Sequence, residues 1–418
     1  MLSRRFAVLI TASAAAVAVA GAAPIGQAIS GAFRSSTAAT NPLAPSSTSG
    51  HGARSRLPGS GSATAPTAPP MATPGRAITV KAPASAPAPA SGATRPSTVL
   101  HPPPHGSGPA PTPSPTPPPQ GCSGPALTSQ SQVQTNTSYC GGRSTSRIVL
   151  ANGDTWTAGE VTGATSGSQQ GAVQCGNPCT LVNMSIHDNP GAFAGIYMSA
   201  GRVTIIGGRV SNNGSLGIGG SRADPLTISG VEIDHNGASA TCGYEGGGFK
   251  GVNHNLHFFD NYVHDNNCPG VWLDINAANV QIDHNRIINN AHEGIFYEIS
   301  QDASIHDNDV EGNGFRTNGN GCAWLWGGGI TIASSFNVQV YGNTVRGNCN
   351  GITGTQQNRF DSSPPAHLLL NLSVHGNSVT GAGKSGTVAD TGADLNTRNI
   401  LFAGNSFSGG AVFCGLVC

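Results

Sequence analysis

Three short segments carry side chains able to do acid–base chemistry at one place: Gly248-Phe249-Lys250, Gly270-Val-Trp-Leu-Asp274 and Gly294-Ile-Phe-Tyr-Glu298. Each begins with glycine and then alternates. In an extended chain, alternate residues face opposite sides. Phe249, Val271, Leu273, Ile295, Tyr297, Ile330 and Ile332 therefore share the inner side, and Lys250, Trp272, Asp274, Phe296 and Glu298 the outer one. A lysine that loses its proton in a groove can act as a base. Two carboxylates can work as acid and base or nucleophile. Asp274 and Glu298 also offer hard oxygen ligands, so calcium is the one cofactor these residues suggest. Trp272 and Phe296 are read as exposed rings whose flat faces suit sugars, on a surface otherwise made of Ser, Thr and Asn. The plainer reading is a stacked surface pair with a salt bridge and no further role.

These segments must be held in register by something that repeats. Asn261-Tyr-Val-His-Asp-Asn266, Asn285-Arg-Ile-Ile-Asn-Asn290, Asn308-Asp-Val-Glu-Gly-Asn313 and Asn343-Thr-Val-Arg-Gly-Asn348 are copies of one another, and each strong copy is followed by Gly-[Val/Ile]. A unit of roughly 23 residues built of short period-two strands is one turn of a coil, not a pair of helices. Stacked turns place each strand parallel to its successor about 4.8 Å away. The asparagines sit at the bends, where an amide can bond the backbone and the equivalent asparagine one turn on. The crossover rule makes the coil right-handed.

These repeats resemble the right-handed parallel β-helix proteins of pectate-lyase-like architecture, common among secreted bacterial proteins. The resemblance covers roughly Thr180 to Ser408. It implies an all-β fold: a single-stranded, right-handed parallel β-helix solenoid of about nine rungs, with an N-terminal cap and a disordered N-terminal linker. The family includes polysaccharide lyases, glycoside hydrolases, epimerases and proteins without a reaction, so fold does not choose the activity. The aspartate motifs of polygalacturonases are missing, and Ile233-Asp234-His235 and Ile282-Asp283-His284 lack the tryptophan of the pectate lyase signature. In β-helix lyases the base is commonly Lys or Arg, with calcium neutralising the substrate carboxylate; the resemblance would give those roles to Lys250, and to Asp274 with Glu298.

Three turns are longer than the rest. Two insertions precede the Gly-[Val/Ile] strand and carry Tyr244, Glu245, Trp324 and Trp326; a third follows it and carries Gln356, Gln357, Arg359 and Phe360. Loops on both sides of one strand face form a groove open at both ends, which suits a polymer. His292 and Glu293 lie in the bend just before Gly294 and are read as accessory groove residues. Cys242 with Cys268, and Cys322 with Cys349, fall in adjacent bends and are expected to pair, pinning the long loops. Cys175 with Cys179, Cys414 with Cys418 and Cys122 with Cys140 complete a set that spacing alone does not determine. His187, His235, His264, His284, His306 and His375 recur at the bends, where turn chemistry explains them better than a metal does.

Composition divides the chain. Residues 1–120 hold 22 of the 29 prolines, eight Lys/Arg and no acid, whereas 121–418 hold 12 Lys/Arg, all 20 Asp/Glu and all ten cysteines. The C-terminal part is thus acidic, which excludes nucleic acid as its partner. Arg4-Arg5 followed by the apolar run Phe6 to Ala20 reads as a secretory signal over 1–28, with cleavage after Ala22 or Ala28, and no stretch is long enough for a membrane span. Residues 29–120 form a Pro/Ala/Ser/Thr-rich linker that cannot bury enough apolar surface to order itself. Residues 121–418 are the β-helix domain, with 121–179 as its cap region. The expected protein is a monomer, secreted or associated with the cell wall, whose partner is a polysaccharide. A lyase acting on a uronate-containing polymer is the first expectation. The alternatives are a retaining glycoside hydrolase using Asp274 and Glu298, or a non-catalytic wall or glycan binder.

Overall fold

The computed structural model describes residues 121–221, 223–240, 242, 245–317, 322, 324–357, 367–389, 398–415 and 418. The stretches read as signal and linker lie outside them. Among the described residues the only helical element is the 3-10 turn Gln130–Gln132; the rest of the regular structure is strand.

Every strand pairing is parallel, and each strand bonds the equivalent strand one turn away, as in Ala278–Asp283 with Gln301–His306 and Ile295–Glu298 with Gly328–Ala333. One sheet of eleven strands collects the Gly-[Val/Ile] segments; a second of twenty contains the long strands and the short strands after the asparagine bend. The coil therefore has three faces: an eleven-strand face, a long-strand face and a short-strand face. Nine of the eleven strands lie beyond residue 180. Two more, Ile148–Leu150 and Gly171–Cys175, lie in the stretch read as cap. That region therefore adds two turns before closing the end, which Leu127, Tyr139 and Trp156 fill as fully buried side chains.

The inner side of all three faces forms one apolar core containing Phe249, Val271, Leu273, Ile295, Tyr297, Ile330 and Ile332. Two buried asparagine ladders line the bends. In one, Asn261, Asn285, Asn308, Asn343 and Asn377 each donate to the next asparagine at 2.9–3.0 Å, ending on Asn405. The other runs from Asn189 through Asn213, Asn236, Asn266, Asn290 and Asn313 to Asn348. Each amide also bonds backbone carbonyls, so polar groups that the bends would strand in the core are satisfied. The second ladder explains the repeated glycine. A Cβ on Gly270 would lie 2.7 Å from the Asn290 amide, and one on Gly294 would lie 3.0 Å from the Asn313 amide and 2.6 Å from the Gly329 carbonyl.

The two expected disulfides, Cys242–Cys268 and Cys322–Cys349, are present, and the pairings that spacing left open are Cys122–Cys140, Cys175–Cys179 and Cys414–Cys418. They fit an oxidising, extracellular setting. No described helix is long and apolar enough to cross a membrane.

Candidate functional site

The parallel register lines up the outer side chains of the eleven-strand face. Gly219 pairs with Lys250, Lys250 with Trp272, Trp272 with Phe296, Phe296 with Thr331, and Thr331 with Thr353. Lys250, Asp274 and Glu298 all lie outside the coil, as alternation requires. Lys250 Nζ is 3.0 Å from Asp274 Oδ2 and 3.6 Å over the Trp272 ring. Asp274 Oδ1 accepts the Ile275 N–H at 2.8 Å, and Trp272 Nε1 donates to Glu298 Oε2 at 3.2 Å. The Trp272 and Phe296 rings stack at 5.4 Å, and Trp326 meets Phe296 edge-on at 5.9 Å.

One expectation is corrected. Trp272 and Phe296 are not an exposed platform: they are 3% and 7% exposed, and Lys250, Asp274 and Glu298 are equally covered. Trp326, from one of the inserted segments, packs with Trp272, Phe296 and Ala333 as a second small apolar cluster outside the coil. A charge pair in such a place is stabilised only as a pair; removing one partner of a buried pair costs about 3–5 kcal/mol. Glu245 belongs to the same cover. Burial raises its carboxyl pKa, Lys250 opposes that rise and Asp274 adds to it.

The remaining candidates separate. Glu293 is buried and its Oε1 accepts the Gly327 N–H at 2.8 Å, which fixes the loop rather than facing the cluster. His292 is half-buried, and burial pushes its imidazole pKa down. Trp324 is exposed, with its carbonyl held by the Asn350 amide at 3.2 Å. Gln356 is buried at the following bend, where Oε1 accepts the Leu369 N–H at 2.7 Å and Arg398 at 3.0 Å. The amide oxygen of its neighbour Gln357 is buried without a hydrogen-bond partner among the described residues. Tyr244 and Arg359 lie outside the described residues.

The donor set does not fit calcium. Two carboxylates, one tied to an ammonium and the other to an indole N–H, fall well short of the six to eight oxygens that ion takes. On the short-strand face Glu232, Asp234 and His264 also converge. They do not suit a metal either, because Asp234 is bound by Arg209 at 2.7 Å and His264 holds a proton. Burial alone would lower the pKa of that imidazole. Hydrogen bonds with Asp265 and Glu232, with the Asp234 charge nearby, outweigh burial and raise it to about 9. The bend histidines pair instead with adjacent aspartates, as in His187 with Asp188 and His306 with Asp307.

Sequence reasoning missed Tyr197, which with Ala194 and Leu216 forms another buried outer cluster two rungs before Lys250. Its only signal was one aromatic residue in the same alternation.

Residues 169–329 match the family model described as the right-handed beta helix region. The chain carries a right-handed β-helix. No curated protein and no solved structure matches it. The β-helix by itself selects no reaction.

Proposed function

We propose that the protein is secreted and hydrolyses glycosidic bonds of a polysaccharide, using the carboxylates clustered on the outer side of the eleven-strand face. The observation that carries this reading is the ion pair of Lys250 with Asp274 at 3.0 Å, above the Trp272 ring. Both contacts engage the charged ammonium. Lys250 then serves as a fixed cation, which makes it a poor base for β-elimination from a uronate. The carboxylates meanwhile occupy different surroundings. Asp274 faces a cation and a backbone N–H, which suits a nucleophile or base. Glu245 has a pKa raised by burial, which suits a proton donor. Glu298 holds the Trp272 indole in place. Substrate reaches these groups when the segments carrying Glu245 and Trp326 move outward.

One observation favours a second reading. The covering of Trp272 and Phe296 suits a cluster that only pins the long loops, with the protein acting as a non-catalytic glycan binder. A panel of neutral and acidic polysaccharides separates the readings. Hydrolysis predicts new reducing ends without ultraviolet-absorbing unsaturated products. Unsaturated ends would overturn it in favour of elimination, and binding without either product would overturn it in favour of adhesion.

A further inference from the structure

The long-strand face carries a groove of about 510 Å³ that none of the residues discussed so far lines. Its floor is a column of outward side chains in strict register over five rungs: Thr227, His257, Gln281, Ser304 and Gln339. Five rungs span roughly 19 Å along the coil. The short Ser304 side chain sits between the two glutamines and deepens the groove there.

One margin is a third ladder, this one facing solvent. Asn255, Asn279, Asp302 and Asn337 take the left-handed conformation, with φ between 51° and 56°. Asn337 donates to Asp302 at 2.9 Å and Asn371 donates to Asn337 at 2.8 Å. Beyond the floor column, two residues further along the strands, Tyr341 stacks on His306 at 4.8 Å and on His375 at 5.2 Å.

We propose that this groove is a binding site for a neutral polyhydroxylated chain, a stretch of linked sugar rings lying parallel to the coil axis. Sugar hydroxyls both donate and accept, and so do amides and the serine and threonine hydroxyls here. Gln339 is exposed and makes no side-chain hydrogen bond among the described residues, so its amide is available to a ligand. No Lys or Arg lines the groove, while Asp302 does, and Asp283 borders it bound to His257 at 2.8 Å. A polyanion would find no counter-charge. An extended peptide gains little either, because the backbone of each lining strand is already paired with the turns above and below. Length favours several rings over one. The site is on a different face from the Lys250 cluster and stands whether or not that cluster hydrolyses anything.

The test uses the full chain and neutral hexasaccharides of glucose, mannose, xylose and N-acetylglucosamine, with a hexauronate as control, titrated at low and high salt. At least one neutral hexasaccharide binds, with affinity insensitive to salt. Ser304→Trp, which fills the groove between the two glutamines from the outer side, abolishes that binding. Gln281→Ala with Gln339→Ala, which leaves the coil's own ladders intact, weakens it about tenfold. Because Ser304 and the two glutamines lie on a different face from Lys250, loss of binding in these variants separates this site from the proposed hydrolytic one. The proposal is overturned if no neutral hexasaccharide binds, if Ser304→Trp binds as well as the parent, or if the hexauronate is preferred with an affinity that fades in salt.

Discussion

Of the three ladders along this coil, two run side by side, one buried under the bend and one on the surface of the long-strand face. Both repeat at the same spacing. Asn308 to Asn343 and Asp302 to Asn337 are each 35 residues apart, and Asn343 to Asn377 and Asn337 to Asn371 are each 34. Their energetics differ because water competes for only one of them. Asn308 donates to the carbonyls of Ile282 and His306 and to Asn343, while its oxygen accepts two N–H groups from Asn285. Loss of that amide removes all five of these hydrogen bonds, most of them in the interior. Asn337 bonds only Asp302 and Asn371 at its side chain, in the open. The buried ladder maintains the fold, and the exposed one is free to serve a ligand.

The contrast should be largest in a substitution pair. Asn308→Ala should lower unfolding free energy by at least about 3 kcal/mol, since several buried groups lose their partners at once. Asn337→Ala should stay within about 0.5 kcal/mol. Denaturant midpoints measure both, and equal losses would break the comparison.

Two histidines repeat the contrast on the short-strand and long-strand sides. His264 is buried between Asp265 and Glu232 and titrates near pH 9, whereas His284 pairs with Asp283 in the open. A folded-state pKa raised above the ordinary 6.5 gives stability that is fully present below that pH and is lost as pH rises toward 9. Stability should therefore fall by up to about 3 kcal/mol across that window. His264→Gln should flatten the slope, while His284→Gln should leave most of it, because solvent screens the exposed pair. A slope unaffected by His264→Gln would contradict the assignment.

Much of the frame was legible in the sequence. The asparagine copies from Asn261 onward identified the coil, alternation put Phe249 inside and Lys250 outside, and the bend positions of Cys242, Cys268, Cys322 and Cys349 foretold their pairing. Alternation states which side of a strand a residue faces. It does not state what lies over that side, and so Trp272 and Phe296 were read as exposed although they are buried, with Trp326 packed against their cluster. The long-strand groove was missed for another reason. Its signal, in Asn255-Leu-His-Phe258, Asn279-Val-Gln-Ile282 and Asn337-Val-Gln-Val340, is as regular as that of the buried ladder. Yet the residues are small and polar, and only the stacked backbone turns them into a continuous trough.

The covered cluster is the counterpart to that open groove, and the claim that its carboxylates rather than its lysine do the chemistry can be tested in one comparison. Turnover of Lys250→Arg is measured beside Asp274→Asn on the polysaccharide that yields product. Arginine keeps the charge, the ion pair and the contact with Trp272 but does not give up its proton. The account predicts that Lys250→Arg retains activity within about tenfold, whereas Asp274→Asn loses about a hundredfold or more. An inactive Lys250→Arg beside an active Asp274→Asn would contradict it.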